Sequence, residues 1–169
     1  FEELFQQVKA LPWADYIPEN GRFPVNAKSV KSQLYSLSDI QSITKKAIVE
    51  KMKETYLRDW FKEDGSEYPI LVSILKDTVT VMMDTSGEGL HKRGYRKLAS
   101  EAPIKETLAA ALIKISRWNP KIPLIDPLCG SGTIPIEAAL IGRNIAPGLN
   151  RHFVSEGWDF IPKETWKKV

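Results

Sequence analysis

Cysteine is almost absent: Cys129 is the single one in 169 residues. An internal disulfide is therefore excluded, and the composition suits a cytoplasmic, reducing setting. Histidine is scarce too, and His91, His152 and Cys129 have no metal-ligand spacing, so no metal is expected. No apolar run approaches the ~20 residues of a membrane span, and Phe1-Glu2-Glu3 is not a signal peptide, so no membrane partner is expected. There is no internal repeat and no low-complexity tract. A net charge of +3 is too small to identify a nucleic-acid binder from its total; where the cations sit has to decide. With 43% hydrophobic and 27% charged residues, the chain has the balance of a folded protein, long enough for one domain or two small ones.

The apolar pattern predicts an α/β protein. Phe1, Leu4, Phe5, Val8 and Leu11 lie at helical spacing. Residues 12–24 form a proline- and aromatic-rich connector. Phe23 to Val30 reads as a short strand running into a basic turn, with Pro24 favouring an edge or the strand's start. Ser38 and Gln41 have capping-box spacing and predict a helix to about Trp60, with Ile40, Ile43, Ala47, Ile48, Met52 and Tyr56 on one face. Lys45, Lys46, Lys51 and Lys53 fall largely on the other. Ile70 to Leu75 and Thr78 to Met83 predict a hairpin about Lys76-Asp77, although that turn lacks glycine. Residues 84–100 read as loop. A helix from Ser100 with Pro103 in its first turn follows, its buried stripe predicted as Ile104, Leu108, Ala111, Leu112 and Ile115.

The densest information lies at Leu124 to Thr133. An apolar strand, Ile122 to Asp126, ends in a carboxylate and Pro127; Gly130-Ser131-Gly132 makes a tight turn; a helix then opens at Thr133 and stops at Gly142. Glycines at 130 and 132 permit positive φ and put no side chain between backbone and ligand. The N–H groups of the new helix point toward the same spot. A nucleoside-triphosphate loop would need lysine after Gly132, and a dinucleotide fingerprint would need glycine where Pro135 stands. Neither fits, so the turn reads as a small-molecule cradle of another kind or as an ordinary sharp bend.

Asp126-Pro127-Leu128-Cys129-Gly130-Ser131-Gly132-Thr133 resembles the first motif of class I S-adenosylmethionine-dependent methyltransferases, in the form used to methylate exocyclic amino groups of bases. The resemblance extends over Asp84 to Arg96, with its His91-Lys92-Arg93-Gly94-Tyr95-Arg96 run, over Ala102 to Ala109 and over Ile145 to Arg151. Together these are similar to the THUMP-domain ribosomal RNA guanine-N2 methyltransferases, often labelled N6-adenine-specific DNA methylases. The resemblance implies a partial THUMP-like RNA-binding α/β domain with linker at 1–96, and the first βα unit of a Rossmann-like methyltransferase domain at 97–169. It implies S-adenosylmethionine as cofactor, ribosomal RNA as partner and methylation of guanine N2 in the large subunit. Adenine N6 in DNA and a non-catalytic RNA-binding module remain as alternatives.

By resemblance, Asp126, Pro127, Gly130, Ser131, Gly132 and Thr133 wrap the methionine part of the cofactor, with Cys129 packing beside it. A thiol near a helix N-terminus can have a lowered pKa, but no histidine partner supports a nucleophile here. Asp126 has a second reading, as a cap for its own loop. Lys105 and Glu106 approach the cofactor from the other side in the family; the alternative is an exposed first-turn pair, with Glu106 favoured by the helix dipole. His91, Lys92, Arg93, Tyr95, Arg96 and Lys97 combine cations with an aromatic and are expected to hold RNA phosphates and bases, as are Lys28 and Lys31. The alternative is a solvated linker whose arginines pair with Glu88 or Glu101. The Asn/Asp-Pro-Pro-aromatic loop that aligns the target amine in such enzymes has no counterpart: the chain holds no Pro-Pro pair, hence no catalytic residue is assigned. The chain reads as an excised piece of a longer protein, expected to be inactive alone.

Overall fold

The computed structural model describes residues 1–96 and 103–167. The chain forms two compact units, Phe1–Gly87 with Phe153–Val169, and Glu88–His152.

In the first unit, α1 (Glu2–Lys9) packs against α2 (Leu37–Tyr56), and β1 (Val25–Val30), β2 (Ile70–Leu75) and β3 (Thr78–Met83) form a sheet in that order. β1 and β2 are parallel, with α2 in the crossover between them, as a parallel pair requires. β2 and β3 are antiparallel. Ile70, Val72 and Ile74 are buried on one face of β2, beneath Ile40, Ala47, Ile48 and Met52 of α2 and Leu4 and Val8 of α1. Val81 and Met83 of β3 pack against the same core. The predicted hairpin and the α2 core face therefore hold, while Phe1 and Leu11 at the ends of the first helical pattern are exposed.

The hairpin turn explains its missing glycine. Lys76 and Asp77 both have positive φ, 48° and 62°, as a two-residue primed turn demands. Asp77 offsets the strain through its neighbours: its Oδ1 accepts the Gln33 N–H at 2.7 Å, and its own N–H donates to Ser32 Oγ at 3.1 Å. β1 is an edge strand that Pro24 immediately precedes, as its missing N–H favours. It continues through Val30, so Lys28 sits on the strand and not in a turn; only Lys31 does, at φ 49°.

Two helix limits differ from expectation. α2 starts before Ser38: Ser36 is extended and its carbonyl accepts the Ile40 N–H at 3.1 Å, making Ser36 the N-cap. The helix ends at Tyr56, not Trp60, because Leu57 turns left-handed and closes the last turn on the Lys53 carbonyl at 2.9 Å.

Residues 153–167 return to this same unit. Trp158 is buried, stacked on Tyr68 with ring centroids 5.3 Å apart, and its Nε1 donates to the Glu67 carbonyl at 2.8 Å. Ser155 ties to the Thr85 carbonyl at 2.9 Å.

The second unit pairs α3 (Glu106–Ile115) with α4 (Thr133–Gly142). Ser100 lies outside the described residues. Pro103 precedes α3 and is not in its first turn, since Lys105 is still extended, at φ −64° and ψ 136°. The expected stripe is also rotated: Glu106, Ala109 and Ile113 are buried, whereas Leu108, Leu112 and Ile115 are exposed. The packed face is the one that meets α4 and carries the Glu106 ion pair described below. The strand expected at Ile122 to Asp126 is irregular, because a strand needs a ladder partner and the described residues supply none; Ile125 is 84% exposed. α4 ends at Gly142 as expected. Among the described residues, no helix is long and apolar enough to cross a membrane.

Replacing Trp158 by alanine is expected to cost about 3–5 kcal/mol, the usual penalty for emptying a buried aromatic site. Chemical denaturation of the full-length protein checks this; a loss below about 1 kcal/mol would show that the returning segment does not anchor the first unit.

Candidate functional site

The glycine turn is built by backbone geometry. Asp126 Oδ1 accepts the Leu128 N–H at 3.2 Å, which folds the entry to the turn. Gly130 and Gly132 take φ of 54° and 74°. The Gly132 N–H closes on the Cys129 carbonyl at 2.8 Å, and the Gly132 carbonyl accepts the Ile136 N–H at 3.0 Å, the first bond of α4. A Cβ placed on Gly130 would meet nothing within 4 Å, and one on Gly132 would meet only Ile136, at 3.8 Å. The turn thus leaves open space beside its backbone, and its glycines are required by conformation, not by crowding. Ser131, Cys129 and Pro127 are exposed, and Thr133 is buried at the helix start.

Beside it, the segment 88–96 does not behave as a solvated basic linker. Arg93 Nε lies 3.5 Å from Glu137 Oε1, and the Tyr95 hydroxyl donates to the same oxygen at 2.9 Å. Arg96 Nη2 lies 3.3 Å from Glu106 Oε1 and donates to Thr133 Oγ1 at 2.7 Å. Ser131 Oγ is 3.2 Å from that hydroxyl. Glu106 and Glu137 are buried carboxylates, 5% and 1% exposed, so these contacts supply the partners that a buried charge requires. Burial first, and then the bond to Glu137, push the Tyr95 phenol far above its ordinary range.

These residues also wall a cleft of about 690 Å³, lined by His91, Lys92, Arg93, Arg96, Lys105, Glu106, Arg151 and others. Gly94 cannot carry a side chain here: at φ 81°, a Cβ would run into the Asn150 carbonyl.

Set against the predicted sites, the structure brings Lys105 and Glu106 together with His91, Lys92, Arg93 and Arg96 at one cleft, and Arg96 joins them to Thr133. Arg93, Tyr95 and Arg96, expected to hold RNA, have their side chains against two buried acids. They turn inward because these acids need them. Lys92 is exposed beside Glu88, at 3.0 Å. Lys97 lies outside the described residues. In the first unit, Lys28 and Lys31 are exposed, whereas Lys45 is held by Glu63 at 2.7 Å. Glu137 was missed as a site residue. Its signal was available: it is the sole charge in the apolar helix Thr133–Gly142, and a lone charge there implies a buried partner. Among the described residues, no group of three or more His, Cys, Asp or Glu gathers as a metal site.

The family described as the THUMP domain matches residues 1–84, and the one described as "RMKL-like, methyltransferase domain" matches residues 93–169. The chain thus matches a THUMP domain and a methyltransferase domain in succession. A Bacillus subtilis (strain 168) protein named "Putative RNA methyltransferase YpsC" is 58% identical over all of the chain, which covers 44% of that protein. A Listeria monocytogenes crystal structure, named "predicted N6-adenine-specific DNA methylase", is 60% identical with a TM-score of 0.94 over 99% of the chain and 44% of its own. The structure of SMU.472, "a putative methyltransferase complexed with SAH", is 52% identical with a TM-score of 0.91, over 99% and 45%. The chain spans less than half the length of these relatives.

Glu137→Leu is expected to destabilise the folded protein by about 3–5 kcal/mol by stranding a buried arginine, and pairing it with Arg93→Met should recover much of the loss. Urea denaturation reads both; strictly additive losses would contradict the buried pair. The raised Tyr95 pKa also gives a pH dependence. Below its ordinary value of 10.0 the phenol is protonated in folded and unfolded chains alike. Above it the unfolded chain releases a proton that the folded chain keeps, so stability falls as the pH rises. Tyr95→Phe should flatten this alkaline loss in pH-dependent denaturation; an unchanged slope would contradict it.

Proposed function

We propose that the full-length protein transfers a methyl group from S-adenosylmethionine to the exocyclic N2 of guanine in large-subunit ribosomal RNA, in the cytoplasm. The observation that carries the cofactor reading is the open glycine turn: two left-handed glycines at the head of α4, with vacant space where a Gly130 Cβ would lie. The residues fit an S-adenosyl ligand, because backbone and small polar groups can approach it without a bulky side chain intervening. Asp126, Pro127, Cys129, Gly130, Ser131, Gly132 and Thr133 would hold it, with Lys105 and Glu106 facing the neighbouring cleft. The bound complex of SMU.472 with SAH, at 52% identity, supports the same assignment. Once bound, the sulfonium supplies an activated methyl group.

The chain's own part is to bind and orient, and orientation is the main source of rate in an in-line displacement. Asp126 shapes the turn through the Leu128 N–H, and the exposed Lys92, Lys28 and Lys31, with the half-buried His91, offer cations and a ring to RNA. The name of YpsC and the THUMP match support RNA over DNA. The loop that presents the target amine is not among these residues, so we assign activity to the whole protein and none to this chain alone. A second reading, adenine N6 in DNA, is favoured by the name of the Listeria relative.

Incubating the full-length protein with methyl-labelled cofactor and either ribosomal RNA or DNA decides between the two. Label in N2-methylguanine of RNA is expected; label confined to N6-methyladenine of DNA would overturn the proposal. Gly130→Val should cut cofactor affinity by about tenfold or more, since a branched side chain is strained at positive φ and fills the cradle. Calorimetric titration with S-adenosylhomocysteine measures it, and unchanged affinity would count against the cradle.

A further inference from the structure

Resting on the cofactor reading of the glycine turn, we propose that Arg96 is a positioning residue for that turn and not an RNA contact. Its guanidinium reaches two helix starts at once. Nη2 donates to Thr133 Oγ1 at 2.7 Å, at the first residue of α4, and lies 3.3 Å from Glu106 Oε1, at the first residue of α3. A third, longer bond goes to the Ile104 carbonyl at 3.5 Å. The Arg96 side chain is 18% exposed and that of Glu106 7%, while Thr133 is 2% exposed, so water competes weakly for these bonds.

All three contacts converge on one nitrogen, Nη2, whose N–H donors face the Thr133 hydroxyl, the Glu106 carboxylate and, at the longest distance, the Ile104 carbonyl. One charged group thus meets a carboxylate on one helix and a hydroxyl on the next. Glu106 neutralises the charge locally, which leaves Arg96 little to offer a phosphate. What it does control is the Thr133 hydroxyl, the residue directly after left-handed Gly132 and 3.2 Å from Ser131 Oγ. Fixing that hydroxyl fixes where α4 begins and therefore how the turn presents its amides. The link is from a segment distant in sequence to the cradle, through a single side chain.

The test uses the full-length protein, with S-adenosylhomocysteine titrated calorimetrically and ribosomal RNA binding measured by filter retention. Arg96→Gln should weaken S-adenosylhomocysteine by about 10- to 100-fold, the range for losing a hydrogen bond to a charged group, and leave RNA affinity within about twofold. Thr133→Val, which keeps the side-chain shape and guards against an unfolded Arg96 variant, should weaken it similarly, and Thr133→Ser should restore it. The double variant Arg96→Gln/Thr133→Val should be no weaker than the worse single one. In steady state the Arg96 loss should appear in KM for S-adenosylmethionine, with KM for RNA unchanged. If the unsubstituted protein binds S-adenosylhomocysteine and both Arg96→Gln and Thr133→Val bind it equally well, the inference is overturned. So it is if Arg96→Gln loses RNA and keeps S-adenosylhomocysteine, which would make Arg96 the RNA contact. No binding by the unsubstituted protein would overturn the cofactor reading, and this inference with it.

Discussion

Two carboxylates, Glu106 and Glu137, are buried at the contact of α3 with α4, and the second unit is organised by that constraint. A carboxylate out of water needs a cation or several donors, or it will not remain ionised there. The preceding segment supplies them in order: Arg93 and Tyr95 reach Glu137, and Arg96 reaches Glu106. A chain piece with no apolar period is thereby laid down without an apolar core of its own. The same contacts define one wall of the cleft and reach the first residue of the helix that follows the glycine turn.

This arrangement separates two uses of positive charge that look alike in a sequence. Clustered arginine and lysine suggest nucleic acid, yet a cation that already faces a buried acid has little left for phosphate. Exposure separates them: Lys92, Lys28 and Lys31 present their ammonium groups to solvent, while Arg93 and Arg96 present theirs to the interior. The first unit supplies a conventional platform for such surface cations, a three-stranded sheet with helices over one face and Asn26, Lys28 and Val30 exposed along its edge strand.

Where periodicity reports burial, the sequence was legible. The β2–β3 hairpin follows from two closely spaced apolar runs, down to the strand limits, and the α2 core face from the 3.6-residue period. The glycine turn was legible because positive φ at two nearly adjacent positions is a need that glycine meets. The failures are also physical. Ser38 and Gln41 matched a capping pattern, but the helix was already under way from Ser36, whose backbone accepts the first bond. The α3 stripe failed because leucines mark a face that could be buried, while packing chose the face bearing Glu106. The strand at 122–126 failed because a ladder needs a second strand, which no local pattern supplies. The pairing of Arg93, Tyr95 and Arg96 was not legible because their partners lie more than forty positions away at Glu137, and at Glu106 across an intervening segment.

Methyl-donor binding, as proposed, depends above all on the backbone around residues 130 to 133. A co-crystal structure of the full-length protein with S-adenosylhomocysteine tests this directly. The ligand is expected against the glycine turn, with Gly130 and Gly132 still left-handed and the Arg96–Thr133 bond intact. Ligand bound elsewhere, with the turn collapsed or covered by side chains, would contradict it.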